Sequence, residues 1–322
     1  MPDFEVPPAL SPGDEVAVIA PSSGGARDAP QVLSVGLKRL RETFDLRPRV
    51  HPTARQSNEF LAAHPRARAA AIHEAFRDPD IGAVFATIGG HDQLGVLKHL
   101  DPTVLENHPT RFFGMSDNTN LQLYLWRLGQ VSFNGAQVMN ELGVPGRLPA
   151  YTAEYCRRAF FDHSLGSWRP SEAWTDEPPS WGDREGVGER QEFVPNPGWR
   201  FEGGARRVSG RIWGGNLSIV HWQLAANRYL PAPRALNGSI LAIEIAEDLP
   251  APSQIRAQLM CMGERGLLER FDGVLVGRTP GRSFRESPPA KARAAYRNEV
   301  AATIVDVVGR YTPDAPVALG LD

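Results

Sequence analysis

Three short segments of the 322-residue chain carry residue types suited to acyl-transfer chemistry. Gly114-Met115-Ser116-Asp117 follows the apolar pair Phe112-Phe113 and precedes Asn118–Leu128, which reads as a helix. Ser116 is therefore expected where a strand turns sharply into a helix. Such a turn projects a hydroxyl above the sheet and surrounds it with the N–H groups that a helix N-terminus leaves unpaired. Donors of that kind stabilise an oxyanion, each worth roughly 3–4 kcal/mol in well-studied hydrolases. The alternative at the same position is a Ser116 or Asp117 side chain that caps the helix. Glu244 is the one charge in Ile240-Leu241-Ala242-Ile243-Glu244-Ile245, on the strand face shared with Ile240 and Ala242. Its carboxylate needs a partner or an open site, so it either orients a histidine at a cleft or is a solvated strand-end acid. Gly89-Gly90 follows a third apolar run, where absent side chains let backbone N–H groups approach a ligand.

The elements that must position these residues are legible as short apolar runs bounded by turn residues, the pattern of buried parallel strands. They are Glu15–Ala20, the shorter Arg49–His51, Ile81–Ile88 and Phe112-Phe113, alternating with helical segments at Pro30–Thr43, Ala62–Phe76, Leu94–Leu100 and Asn118–Leu128. This alternation predicts an N-terminal doubly wound α/β domain whose ligands sit beyond the carboxyl ends of the strands. Gly89-Gly90 and Ser116 both fall at such ends. Beyond Arg207 the pattern resumes with strands at Gly210–Leu217, Ser239–Ile245, Gly273–Gly277 and Pro316–Gly320. Helices at Ser218–Ala226, Pro252–Arg265 and Ala290–Val308 separate them, giving a smaller C-terminal α/β domain. The predicted division is 1–167, a connection over 168–206, and 207–322. The connection holds Trp168, Trp174, Trp181 and Trp199 among prolines, glycines and charges. So many aromatics argue against a disordered linker and for an ordered binding loop.

Composition narrows the function. Charged residues make up 22% and the formal net charge is -2, which gives no reason to expect a nucleic-acid or anionic-membrane partner. Cys156 and Cys261 lack metal-ligand companions, and no phosphate loop, dinucleotide fingerprint or zinc motif occurs, so neither metal nor cofactor is expected. The N-terminus lacks the basic and apolar regions of a secretory signal, and no apolar run is long enough to span a bilayer. A cytoplasmic protein is expected.

Taken in order, Gly13-Asp14-Glu15-Val16, Ala20-Pro21-Ser22-Ser23, Ile88-Gly89-Gly90, Gly114–Thr119, Asn134-Gly135, Gly214-Gly215-Asn216-Leu217, Ile240–Glu244 and Gly273–Gly277 resemble the LD-carboxypeptidase family of serine peptidases. The resemblance covers nearly the whole chain. It implies a two-domain fold with a swivelling β/α C-terminal domain and a Ser-Glu-His triad. Ser116 would be the nucleophile, Glu244 the acid, and the N–H groups of Gly90 and Asp117 the oxyanion hole. It implies a small peptide substrate and a homodimer. The tryptophan-bearing connection looks like that of the microcin-immunity branch, which cleaves peptidyl or aminoacyl nucleotides. Trp181 and Trp174 are then expected against the substrate, Trp181 stacking on the base at roughly 1–3 kcal/mol. His91 and Asn216 are further candidates for substrate contact. The family's histidine lies in a Phe-Gly-His segment directly after the strand that here reads Pro316–Asp322. None of the eight histidines in the chain sits in a matching context. Murein tetrapeptide as substrate, and a ligand-binding homologue without catalysis, are the alternative expectations.

Overall fold

A computed structural model of the protein describes residues 4–177, 192–283 and 285–322. Two compact units divide the described chain: residues 4–168, and residues 169–177 together with 192–322.

The first unit is built on strands β1 (Glu15–Ile19), β2 (Arg47–Val50), β3 (Ile81–Ala86), β4 (Arg111–Gly114) and β5 (Phe133–Asn134). All are parallel, in the order β2-β1-β3-β4-β5. This is a doubly wound order whose topological switch point lies between β1 and β3, where α/β folds bind their ligands. Strands β1, β3 and β4 are buried almost throughout, because helices cover both faces of the sheet. That is why the sequence showed them as continuous apolar runs instead of alternating ones. On one face Phe85, Phe113 and Phe160 form the centre of the core. Phe85 and Phe113 stack at 4.6 Å, and Phe160 meets both edge-on at 5.2 and 4.9 Å.

The expected helix over 62–76 is two helices, Asn58–Ala63 and Pro65–Arg77. Pro65 forces the break, since its ring disfavours helical backbone at His64 and its fixed φ suits a first helical position. The helix expected at Leu94–Leu100 shortens to Leu94–Leu97.

Strands β6 (Ala173–Trp174) and β7 (Val194–Pro195) pair as a small antiparallel ribbon of the second unit. Its main sheet comprises β8 (Arg200–Gly203), β9 (Ile212–Asn216), β10 (Ser239–Glu244), β11 (Phe271–Gly277) and β12 (Pro316–Leu321), ordered β8-β12-β11-β10-β9. Strands β9 to β12 run parallel, and β8 joins β12 antiparallel. The stretch expected to be a connection thus supplies an edge strand. Along β10 burial alternates strictly, with Ser239, Leu241 and Ile243 in the core and Glu244 on the half-buried face of Ile240 and Ala242, as alternation required. Helices Pro252–Glu264 and Ala290–Tyr311 pack so closely that a Cβ on Gly263 would overlap the Tyr311 ring. Among the described residues no helix is long and apolar enough to cross a membrane.

Arg111 sits inside β4 with its side chain buried, and its guanidinium donates to five carbonyls: Pro7, Pro8, Ala159, Phe160 and Asp162. It thereby ties the N-terminal segment and the end of helix Ala150–Phe161 to the central sheet, satisfying carbonyls that a helix end leaves open. Burial pulls its pKa down without removing its charge. Replacing Arg111→Met is expected to lower the unfolding free energy of this unit by about 3 kcal/mol or more, as the carbonyls lose their donor. Urea denaturation followed by circular dichroism measures this; a loss below ~1 kcal/mol would contradict the assigned role.

Candidate active site

Ser116 lies half-buried where β4 ends, at the start of a 3-10 turn (Ser116–Asn118) leading into helix Thr119–Arg127. Its φ of 59 is in the left-handed region, which a non-glycine residue occupies only when its surroundings hold it there. The surroundings are two loops at the switch point, one after β1 and one after β3.

The loop after β3 begins with Gly89, and an added Cβ there would stand 2.9 Å from Ser116 Cβ and 3.1 Å from its Oγ. The serine side chain occupies the space that a side chain at 89 would need. A Cβ on Gly90 would overlap Ser22 Oγ in the loop after β1. The two loops are bolted together by Ser23, whose N–H and Oγ–H both donate to Gly89 O at 3.2 and 2.6 Å. Among the described residues no hydrogen bond engages the N–H of Gly90 or of Asp117.

Asp117 is fully buried, and its carboxylate joins the three segments. Oδ2 accepts from Ser22 Oγ–H and from the N–H groups of Asp92 (3.1 Å) and Gln93 (3.0 Å). Oδ1 accepts from Asn120 Nδ2 at 2.9 Å. Neither Ser116 nor Asp117 is the N-cap residue of the helix that follows; that position is Asn118, whose own side chain makes no cap hydrogen bond. Around this carboxylate runs a second tier of amides. Gln93 Nε2 donates to Asn118 Oδ1 at 2.8 Å while Gln93 Oε1 accepts from Leu121 N–H. Asn118 Nδ2 donates to the carbonyls of Ile88 and Met115, and Gln137 Nε2 also reaches Met115 O. Burial pushes the Asp117 carboxyl above its ordinary pKa, against the pull of the donors from Ser22, Gln93 and Asp92.

His91 is exposed in the loop after β3. In the second unit Glu244 closes β10 and pairs in register with Asn216 at the end of β9. Asn216 Oδ1 accepts from Ile219 N–H at 3.2 Å, so this side chain caps helix Leu217–Ala226. Beside Glu244, Gly277 ends β11, with room for a Cβ 3.8 Å from Glu244 Cγ. Trp174 is half-buried beneath the guanidinium groups of Arg278 (4.9 Å) and Arg297 (5.0 Å). Trp181 lies outside the described residues. No three His, Cys, Asp or Glu side chains converge as metal ligands among the described residues.

Sequence reasoning named Ser116, Asp117 and the two glycines but missed Ser22, Asp92, Gln93, Asn118 and Asn120. The usable signal was Pro21-Ser22-Ser23 at the end of β1, which any strand order with a switch beside β1 brings to the site.

Asp117→Ala is expected to reduce the stability of this unit by about 3 kcal/mol, leaving buried donors from Ser22, Asp92, Gln93 and Asn120 without an acceptor. Because the folded-state pKa of Asp117 is raised, the folded protein holds this proton to higher pH than the unfolded chain does. The group's contribution is therefore fully present below the ordinary carboxylate pKa of about 3.9 and lost as pH rises through the raised value. Asp117→Asn is expected to lack that falling step in a plot of unfolding free energy against pH, and an unchanged step would contradict the assignment.

Comparison with known proteins agrees with this architecture. Residues 16–135 match the profile of the LD-carboxypeptidase N-terminal domain, and residues 209–322 match that of the LD-carboxypeptidase C-terminal domain. A probable murein peptide carboxypeptidase of Bacillus subtilis is 27% identical over 271 residues, 84% of this chain and 73% of that protein. The crystal structure of an MccF-like protein from Streptococcus pneumoniae in complex with AMP superposes with a TM-score of 0.84 at 23% identity, covering 96% of this chain and 90% of that one. The structure of the microcin C7 self-immunity protein in complex with aspartyl sulfamoyl adenosine gives a TM-score of 0.80 at 20% identity, covering 98% and 89%. With both of its domains matched in order along one chain, the protein belongs to the LD-carboxypeptidase family.

Proposed function

We propose that the protein is a serine carboxypeptidase-type hydrolase that cleaves the acyl linkage of a peptidyl or aminoacyl nucleotide, with Ser116 as nucleophile. The observation that carries this reading is Ser116 itself. It is a half-buried serine held at positive φ beside Gly89, next to the N–H groups of Gly90 and Asp117 that no acceptor among the described residues engages. A fold has little use for that arrangement, whereas acyl transfer needs all of it. Ser116 Oγ attacks the substrate carbonyl, and the two N–H groups receive the negative charge that develops on its oxygen. Glu244 takes the family's role of orienting the histidine base. Glu244 ends β10 on its half-buried face.

Nucleotide conjugates are favoured over other acyl compounds by the ligands of the two structural relatives, AMP and aspartyl sulfamoyl adenosine. In this reading Trp181 stacks on the base. Trp174, beneath the guanidinium groups of Arg278 and Arg297, is the second indole assigned to the substrate. Murein tetrapeptide is the second reading, supported by the Bacillus subtilis relative.

Mass spectrometry of reactions with aspartyl sulfamoyl adenosine and with murein tetrapeptide discriminates the two. Both the chain ending at Asp322 and one extended by Phe-Gly-His belong in this assay. Aspartate release from the conjugate is expected, reduced at least ~10³-fold in kcat by Ser116→Ala with ligand affinity within a few-fold. Glu244→Gln is expected to lower kcat by ~10²-fold or more. Hydrolysis of the tetrapeptide alone would remove the nucleotide reading, and a fully active Ser116→Ala protein would remove the mechanism.

A further inference from the structure

Arg68 belongs to none of the motifs considered above. It sits on helix Pro65–Arg77 with its side chain almost completely enclosed, 1% exposed. A buried guanidinium is costly unless its donors are met; among the described residues Ser22 and Asp92 meet Nη1 and Nη2, and Nε has no partner. Nη1 donates to Ser22 O at 3.0 Å and to Asp92 Oδ1 at 2.6 Å, while Nη2 donates to Asp92 Oδ2 at 3.1 Å. The pairing with Asp92 is the planar, two-pronged kind that arginine forms and lysine cannot.

The two residues that Arg68 grips are also two that hold Asp117. Ser22 gives its carbonyl to Arg68 and its hydroxyl to Asp117 Oδ2; Asp92 gives its carboxylate to Arg68 and its N–H to the same Oδ2. The result is a closed ring, Arg68–Ser22–Asp117–Asp92, that clamps the loop after β1 to the loop after β3. Gly90 and His91 lie in the chain between Gly89, pinned by Ser23, and Asp92, pinned by Arg68. The orientation of the Gly90 peptide is thus set at both ends by anchored neighbours. Charge accompanies geometry: the Asp92 carboxylate acts on Asp117 as a like charge and is itself paired with Arg68.

We infer that Arg68 is a positioning residue for the acyl-transfer step, fixing through Asp92 and Ser22 the loop that presents the Gly90 N–H to the substrate oxyanion. This rests on the reading of Ser116 as nucleophile. Its consequence is a defect in reactivity at Ser116 that exceeds any loss of folding. Arg68 touches no substrate in this account, so ground-state affinity is left largely intact and the loss falls on kcat.

The test uses a fluorophosphonate probe, which loses fluoride as the serine oxygen attacks phosphorus and so reports nucleophile and oxyanion hole without any assumption about substrate. Labelling rates at Ser116 are measured by peptide mapping for the full chain, Arg68→Met, Arg68→Lys, Asp92→Asn and Arg68→Met/Asp92→Asn. Unfolding midpoints are recorded beside them. Asp92→Asn alters a half-exposed side chain and keeps the test alive if Arg68→Met fails to fold. Each single change is expected to slow labelling about 10-fold or more, with the double variant within about 2-fold of Arg68→Met and Arg68→Lys intermediate. Asp92→Asn keeps an amide oxygen that can accept from Arg68 and is expected to lose less stability than Arg68→Met. Where conjugate turnover is followed, kcat is expected to fall with KM within about 3-fold. Unchanged labelling in folded Arg68→Met or Asp92→Asn, or a slowing matched by an equal loss of stability, would overturn the positioning role alone. Absence of labelling at Ser116 in the unaltered protein would overturn the nucleophile and this inference together.

Discussion

The first unit depends on a single buried carboxylate. Asp117 reaches the loop after β1 through Ser22, the loop after β3 through Asp92 and Gln93, and its own helix through Asn120. Three segments distant in sequence are therefore joined at one group, immediately beside the residue whose backbone departs from ordinary geometry. Burying a carboxylate is expensive, and the cost appears in the raised pKa of Asp117. What offsets it is a complete set of donors, most of them on short loops that would otherwise have no reason to sit where they do. The strained turn at Ser116 persists because its neighbour cannot move.

The fold determines where that carboxylate can be assembled. In a parallel sheet ordered β2-β1-β3-β4-β5, the chain leaves β1 and β3 toward opposite faces, so a crevice opens between their carboxyl ends. β4 adds the strand-to-helix turn next door. Side-chain amides from Asn118 and Gln137 then satisfy the carbonyls that irregular backbone leaves open at the strand ends. The second unit presents Glu244 by a simpler device. Strict alternation along β10 sends three residues into the core and leaves the acid on the half-buried face at the strand's end.

Much of this was legible before any coordinates. The β/α alternation, the strand-end placement of Gly89-Gly90 and Ser116, and the face of Glu244 all follow from apolar runs, helical spacing and strand alternation in short windows. What escaped was of two kinds. Ser22, Asp92 and Gln93 matter through hydrogen bonds to Asp117 that span 24 to 95 residues of sequence, and no local pattern encodes such partners. Asn216 and Trp174 were legible as polar and aromatic residues in suggestive places, whereas the helix N-terminus and the two arginines that neighbour them were not. Residue type announces what a side chain is able to do, while the neighbours decide which of those capacities it spends.

The central claim is that the Ser116 oxygen becomes covalently bonded to the acyl group during turnover. Rapid acid quenching of a reaction with an aminoacyl sulfamoyl adenosine, followed by digestion and mass mapping, tests it directly. The account predicts a transient aminoacyl adduct on the peptide containing Ser116, appearing before free amino acid accumulates. An adduct on another residue, or steady hydrolysis with Ser116 unmodified at every time point, would contradict it.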